Sequence, residues 1–265
     1  MRTCLIGLVD AGKSTALAAL WFSVTERSNL CNWYLANTDR PKDAARWIDL
    51  RDHWLSGERV KRTEHETAPG VLRLKLTENG GDQKLDIAVP DIAGEDFEKL
   101  FEVGKFPTKH GEIIQKSDHI VLFVHATNYD HPVKLKAPKT HGKPSEKQIE
   151  IPKWQPEDMY PGSKIVAMMR GVMALRGGGD TNISVVLSAW DLIENDLTPE
   201  TVLKENFPLL HQYLSTNFDF ELFGLSAQGG DYENGNSFKD IEFDDIERIS
   251  VVGKSTHNDI TRIFG

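Results

Sequence analysis

Eight residues near the amino terminus constrain the fold of this chain more than any other feature. Residues 7–14 read GLVDAGKS, which fits the pattern G-x-x-x-x-G-K-(S/T). Residues 3–8 form an apolar run typical of a buried strand, and residues 12–27 carry Ala and Leu at helical spacing. A strand, a glycine-rich turn and a helix in this order predict a loop that binds phosphate groups.

The residue types of this loop suit phosphate chemistry. Gly7 and Gly12 let the backbone turn so that successive N–H groups point inward, and the helix N-terminus adds the positive end of its dipole. Lys13 supplies a cation for the β- and γ-phosphates, and the Ser14 hydroxyl is a ligand suited to Mg²⁺. The predicted nucleotide-binding residues of this segment are Gly7, Asp10, Ala11, Gly12, Lys13, Ser14 and Thr15.

The rest of the chain alternates strand and helix signals, which predicts the α/β class with a mostly parallel sheet and one antiparallel strand. Continuous apolar runs suit strands buried on both faces, and a turn of sequence NGGD joins two runs as a hairpin. In such sheets, ligands bind at the carboxyl ends of the strands. The predicted strands are 71–77, 84–89, 119–124, 183–187 and 220–225, and the predicted helices are 43–55, part of 95–115, 164–176 and 199–216.

We predict one domain over residues 1–265 with two insertions. The first, about 29–62, is helical, and its residues Trp33, Trp47 and Trp54 are expected to pack on the domain, with a partner-binding surface as the alternative. The second, about 128–162, is rich in proline and lysine and reads as a surface loop.

Composition narrows the class of partner. The formal net charge of −9 argues against general binding to nucleic acid or to an anionic membrane surface. Only two cysteines occur, and no apolar run approaches the ~20 residues that span a bilayer, so we expect a cytoplasmic protein.

A second motif follows the hairpin, where residues 91–94 read DIAG. At the end of a strand beside the phosphate loop, the Asp91 carboxylate can hold Mg²⁺ through water, and the N–H of Gly94 can meet a γ-phosphate. With these two motifs, the chain resembles P-loop GTPases of the TRAFAC class, which includes Ras-like proteins and translation factors. The resemblance implies a three-layer G domain and assigns Thr67, or Thr63 as the alternative, to Mg²⁺ and closure over the γ-phosphate.

The catalytic residues that the resemblance implies are Lys13, Thr67, Gly94 and Glu95. Ras-like enzymes orient the attacking water with a glutamine, where this chain has Glu95. A carboxylate beside an anionic phosphate favours slow or partner-stimulated hydrolysis. The alternative is that Glu95 has no catalytic role and only begins a helix, where an acidic residue is favourable. A charge-neutralising arginine would come from Arg59 or Arg62, or from a partner.

Two further strand ends resemble the guanine-binding motifs of the same class. Residues 188–191 read SAWD, in which Asp191 matches the aspartate that reads guanine. Ser188 and Ala189 depart from the usual Asn or Thr and Lys, and Trp190 is a candidate cover for the base. Ser226 and Ala227 begin a second motif, whose backbone N–H meets guanine O6 in that class. These motifs favour GTP and GDP, with adenine nucleotides as the alternative.

The resemblance extends to the bacterial double-GTPases of conflict and defence systems. Three segments carry it: residues 19–21 (ALW), the SAWD tetrapeptide and residues 225–230 (LSAQGG). It implies a Mg²⁺-dependent GTPase that acts as a nucleotide-controlled switch on an effector or activating protein. Two other functions stay open, a nucleotide-bound scaffold without hydrolysis and an ATP-dependent P-loop enzyme.

Overall fold

A computed structural model describes residues 1–57, 71–90, 108–129, 159–177, 181–194, 196–230 and 248–265. Nine strands in these ranges form one sheet. In chain order they are β1 (Arg2–Ile6), β2 (Trp33–Tyr34), β3 (Val71–Glu78), β4 (Lys84–Pro90), β5 (His119–His125), β6 (Asn182–Ser188), β7 (Phe220–Ser226), β8 (Ser250–Val252) and β9 (Thr256–His257).

The sheet has the order β2-β3-β4-β1-β5-β6-β7-β8-β9. Its five central strands, which are β4, β1, β5, β6 and β7, are parallel to one another. The hairpin is confirmed: β3 runs antiparallel to β4, with Val71 opposite Pro90 and Thr77 opposite Lys84. The sequence predicted one antiparallel strand, and the structure has a second, β8, which pairs with β7. The predicted mostly parallel α/β sheet is therefore confirmed, and its far edge is longer than the sequence indicated.

Six α-helices occur in the described ranges. They are α1 (Lys13–Glu26), α2 (Ala44–Leu55), α3 (Thr108–Lys116), α4 (Pro161–Arg176), α5 (Pro199–Asn206) and α6 (Pro208–Asn217). The prediction of one helix over residues 199–216 was wrong, because Pro208 has no N–H to continue the hydrogen bonding of α5. Thr198 caps the start of α5, and its hydroxyl accepts a hydrogen bond from the N–H of Thr201 at 3.2 Å.

Helices cover both faces of the sheet, which gives three layers. On β5, Val121 and Phe123 face one core, with α1 and α2, whereas Ile120, Leu122 and Val124 face the other, with α3 to α6. Burial on both faces explains why these strands read as continuous apolar runs.

The tryptophans of the first insertion pack on the domain as expected. Trp47 and Trp54 have no exposed surface, and Trp33 is 6% exposed. The ring of Trp47 stacks on Trp21 of α1 at 5.5 Å, and the ring of Trp54 lies 5.2 Å from Phe22. Helix α1 is consequently enclosed between the sheet and α2.

Most of the second insertion, from 130 to 158, lies outside the described residues. Among the described helices, none has both the length and the apolar character needed to cross a membrane.

Candidate functional site

The phosphate loop joins β1 to α1 at the carboxyl edge of the parallel strands. Its backbone needs glycine at two points. Gly12, just before α1, has φ +79, and Gly7 has φ +156 with room for no Cβ, which would lie 2.7 Å from the carbonyl oxygen of Phe123. Asp10 also has a positive φ of +57. The loop therefore has the sharp turn that the sequence pattern predicts.

The side chain of Lys13 folds back onto the phosphate loop. Its ammonium group donates hydrogen bonds to the carbonyl oxygens of Gly7 at 2.6 Å and Leu8 at 2.8 Å. Burial lowers the pKa of Lys13 to about 8, and the nearby carboxylate of Asp10 opposes that shift. The cation is thus held within the concave side of the loop, where anionic phosphate oxygens would be stronger acceptors than these neutral carbonyls.

Ser14 and Thr15 occupy the first turn of α1 and are half-buried. The hydroxyl oxygen of Ser14 is the hard donor that Mg²⁺ prefers. No group of three or more His, Cys, Asp or Glu side chains within the described ranges is arranged to hold a metal ion. The other predicted ligands, Thr67 and Asp91, lie outside the described residues, as do Thr63, Gly94, Glu95, Arg59 and Arg62.

Ser188, the last residue of β6, links the phosphate loop to the end of the site where the sequence predicts base binding, near Asp191 and the loop after β7. Its buried hydroxyl donates to the carbonyl oxygen of Ala11 at 3.0 Å. A Cβ at Gly12 would lie only 2.7 Å from the same Ser188 oxygen. The SAWD motif made Ser188 a predicted nucleotide-binding residue, which stays a prediction, and in the fold its hydroxyl supports the backbone of the phosphate loop.

Asp191 lies one turn beyond the end of β6. Ala189 has a left-handed φ of +55 and starts a 3-10 turn, Trp190–Leu192, in which Asp191 is exposed. The Trp190 ring packs against β7, where a Cβ on Gly224 would lie 2.7 Å from its Cε3. The glycine therefore makes room for the tryptophan, and the turn that carries Asp191 is anchored on the neighbouring strand.

His125, at the end of β5, lies between the two ends of the site. Burial lowers its pKa, and the carboxylates of Asp10 and Asp191 oppose that shift, so both carboxylates are near the ring. The Thr127 backbone N–H donates to Nδ1 at 3.4 Å, which favours a neutral ring with its proton on Nε2.

The loop after β7 is buried and tightly held. The hydroxyl of Ser226 accepts the Gly229 N–H at 3.2 Å and donates to the Arg248 carbonyl at 3.4 Å. Ala227 accepts at its carbonyl a hydrogen bond of 2.6 Å from the indole N–H of Trp54. Motif comparison found Ser226 and Ala227 but not Trp54 or Arg248, because no local pattern joins residues so distant in sequence.

The fold brings Gly7 to Thr15, Ser188, Asp191, Ser226 and Ala227 to one edge, since β1, β5, β6 and β7 are parallel neighbours. No curated protein matches the chain. The model of the Double-GTPase 1 family matches residues 4–264, from the first strand to the last turn. The motifs, the sheet and this match agree, and the chain belongs to the Double-GTPase 1 family.

Proposed function

We propose that this chain binds GTP with Mg²⁺, hydrolyses it slowly and acts as a nucleotide-controlled switch on a partner protein. One observation carries the proposal. A lysine-closed phosphate loop and two guanine-type strand ends lie at the same edge of a parallel sheet, in the order that a single nucleotide would span. The family match supports the GTPase assignment.

The nucleotide would lie with its phosphates in the loop of residues 7–14 and its base between Asp191 and the loop after β7. The Asp191 carboxylate would accept hydrogen bonds from N1–H and the exocyclic amine of guanine. Adenine has no N1–H to donate, so the same carboxylate would disfavour it. Ala189 stands where related GTPases have lysine, so Asp191 and the second loop carry more of the selectivity.

Hydrolysis would proceed by attack of water on the γ-phosphorus, with rupture of its bond to the oxygen that leaves on GDP. Lys13 and the loop N–H groups would stabilise the charge that develops on those oxygens. Ser14, Thr67 and Asp91 would hold Mg²⁺, which when bound neutralises charge on the phosphates. Glu95 would orient the water, and its negative charge beside the γ-phosphate is the reason to expect a slow reaction.

Loss of the γ-phosphate would remove the partner of Thr67 and Gly94 and so change the segments that carry them. A partner protein that distinguishes the two states would read the nucleotide. The resemblance to double-GTPases of conflict and defence systems supports a role in bacterial defence. The formal net charge of −9 supports a protein partner rather than nucleic acid or membrane.

The test is a binding titration of the purified chain with GDP, GTP and ATP, with Mg²⁺ and then with EDTA. We expect tight guanine-nucleotide binding that weakens in EDTA. Single-turnover GTP hydrolysis should be measurable and should disappear in Lys13→Ala. Preference for ATP would overturn the guanine assignment, and GTP binding without any turnover would leave the scaffold function in its place.

A further inference from the structure

We propose that Trp54, at the end of α2, is a positioning residue that sets the direction of the base-binding loop, residues 226–229. The inference rests on the proposed function, because it takes this loop as the place that receives the base. It gives the helical insertion a part in nucleotide selectivity, where the sequence indicated only packing or a partner surface.

The indole of Trp54 reaches the loop directly. The side chain is fully buried, and its Nε1–H donates to the Ala227 carbonyl at 2.6 Å. The ring is backed by Phe22 of α1 at 5.2 Å, so the donor has little freedom to move away. This hydrogen bond joins residues 173 positions apart in sequence.

Arg248 extends the same contact to the next residue of the loop. Its Nε donates to the Gln228 carbonyl at 3.2 Å, and its Nη2 donates to the Trp54 carbonyl at 2.8 Å. The guanidinium carbon lies 4.2 Å from the centre of the Trp54 ring, a cation–π contact. Two successive loop carbonyls are therefore held by one buried pair, Trp54 and Arg248.

Holding a carbonyl also fixes the N–H that follows it. A trans peptide is planar, and its C=O and N–H point in opposite directions. With the Ala227 carbonyl held toward α2, the N–H of Gln228 is directed to the opposite side of the loop. The N–H of Gly229 is likewise fixed, by the hydroxyl of Ser226 at 3.2 Å. Trp54 thus sets the direction of a donor that an acceptor on the base, such as guanine O6, would meet.

Trp47 is a matched control within the same helix. It is as fully buried as Trp54 and also stacks on α1, through Trp21. Its indole N–H meets no acceptor among the residues that the structure describes. Replacing either tryptophan with phenylalanine removes the same N–H and a similar amount of ring, but only at position 54 does the change release the loop.

The experiment measures the affinity of the full chain and its Trp54→Phe and Trp47→Phe variants for three diphosphates. GDP has O6, N1–H and the amine, IDP lacks the amine, and 6-thio-GDP replaces O6 with sulfur, a weak acceptor. We expect Trp54→Phe to weaken GDP and IDP binding about five- to tenfold, as for one lost hydrogen bond. Binding of 6-thio-GDP should change less than about twofold, and Trp47→Phe should leave all three affinities unchanged.

The outcomes separate this inference from the function on which it rests. If the wild-type chain binds none of the guanine nucleotides, the proposed function fails, and the inference with it. If wild type binds GDP and Trp54→Phe affects 6-thio-GDP as strongly as GDP, or no more than Trp47→Phe does, only the inference is overturned. If Trp54→Phe does not fold, the Arg248→Lys variant tests the inference instead. It keeps the positive charge but cannot donate to the carbonyl oxygens of Gln228 and Trp54 at the same time, as the guanidinium does. It should give the same loss for GDP and IDP but not for 6-thio-GDP, and an equal loss for all three overturns the inference.

Discussion

The two ends of the candidate site are built in different ways. The phosphate end is one continuous segment, residues 7–14, whose turn, cation and helix N-terminus are all local. The base end comes from three separate parts of the chain: the turn that carries Asp191, the loop after β7, and the buried pair Trp54 and Arg248. A local segment carries its chemistry in its own sequence, whereas an assembled one depends on contacts that only the fold creates.

The largest effect is expected from removing the cation of the phosphate end. Lys13→Met should weaken GTP and ATP binding alike by at least about 100-fold, because a buried charge–phosphate contact is lost without a substitute. Burial lowers the pKa of Lys13, which shows that the folded state disfavours its charge. Replacing that charged side chain with methionine should therefore leave the folding stability close to that of wild type. Calorimetric titration measures the affinity and a thermal melt checks the fold. A loss for GTP alone would contradict the assignment of Lys13 to the phosphate end, because GTP and ATP share the same phosphate groups.

A smaller and selective effect is expected at the base end. Asp191→Asn should weaken GTP binding about tenfold or more, since hydrogen bonds to a charged group contribute about 1.5–3 kcal/mol each. ATP binding should change little, because adenine offers no matching donors. The two affinities are compared in the same titration, with the exposed Asp219→Asn at the opposite edge of the sheet as the control. Equal losses for both nucleotides would contradict the guanine assignment of Asp191.

This contrast also explains how much the sequence could predict. The phosphate loop, the hairpin and the parallel strands follow from spacing and apolar runs, which are local signals. The break at Pro208 was visible in the sequence too, and the predicted helix ignored it. The Trp54–Ala227 contact and the support of Ala11 by Ser188 have no local signal, because their partners come together only when the sheet forms.

A third prediction tests whether the two ends are joined through Ser188. Gly12→Ala should lower both stability and GTP affinity, since its Cβ would lie 2.7 Å from the Ser188 oxygen and alanine disfavours a φ of +79. The strain alone costs about 1–2 kcal/mol, and the crowding adds to it. Adding Ser188→Gly to this variant should restore the share of the lost stability and affinity that comes from crowding, and leave the share that comes from the unfavourable φ. Urea unfolding and GTP titration of both single variants and the double variant measure this coupling. Purely additive effects would show that the ends are independent.

The smallest effect concerns His125, which lies near both ends. Burial holds its pKa below the ordinary value of 6.5, while Asp10 and Asp191 oppose that shift. Replacing either carboxylate with asparagine should therefore lower the pKa of His125 further, and Asp219→Asn should leave it unchanged. An NMR pH titration of the imidazole Cε1–H signal measures the three shifts.

The same titration fixes the sign of the pH dependence. Since the folded state has the lower pKa, the unfolded chain binds the proton more readily. The contribution of the neutral His125 to folding stability is complete above pH 6.5 and is lost as the pH falls from 6.5 toward the folded pKa. Urea unfolding from pH 7.5 to 5.5 should show a shallower loss in His125→Gln than in wild type. A shift of the pKa by Asp10→Asn alone would place His125 with the phosphate end, whereas shifts by both variants would show that its ring senses the phosphate and base ends together.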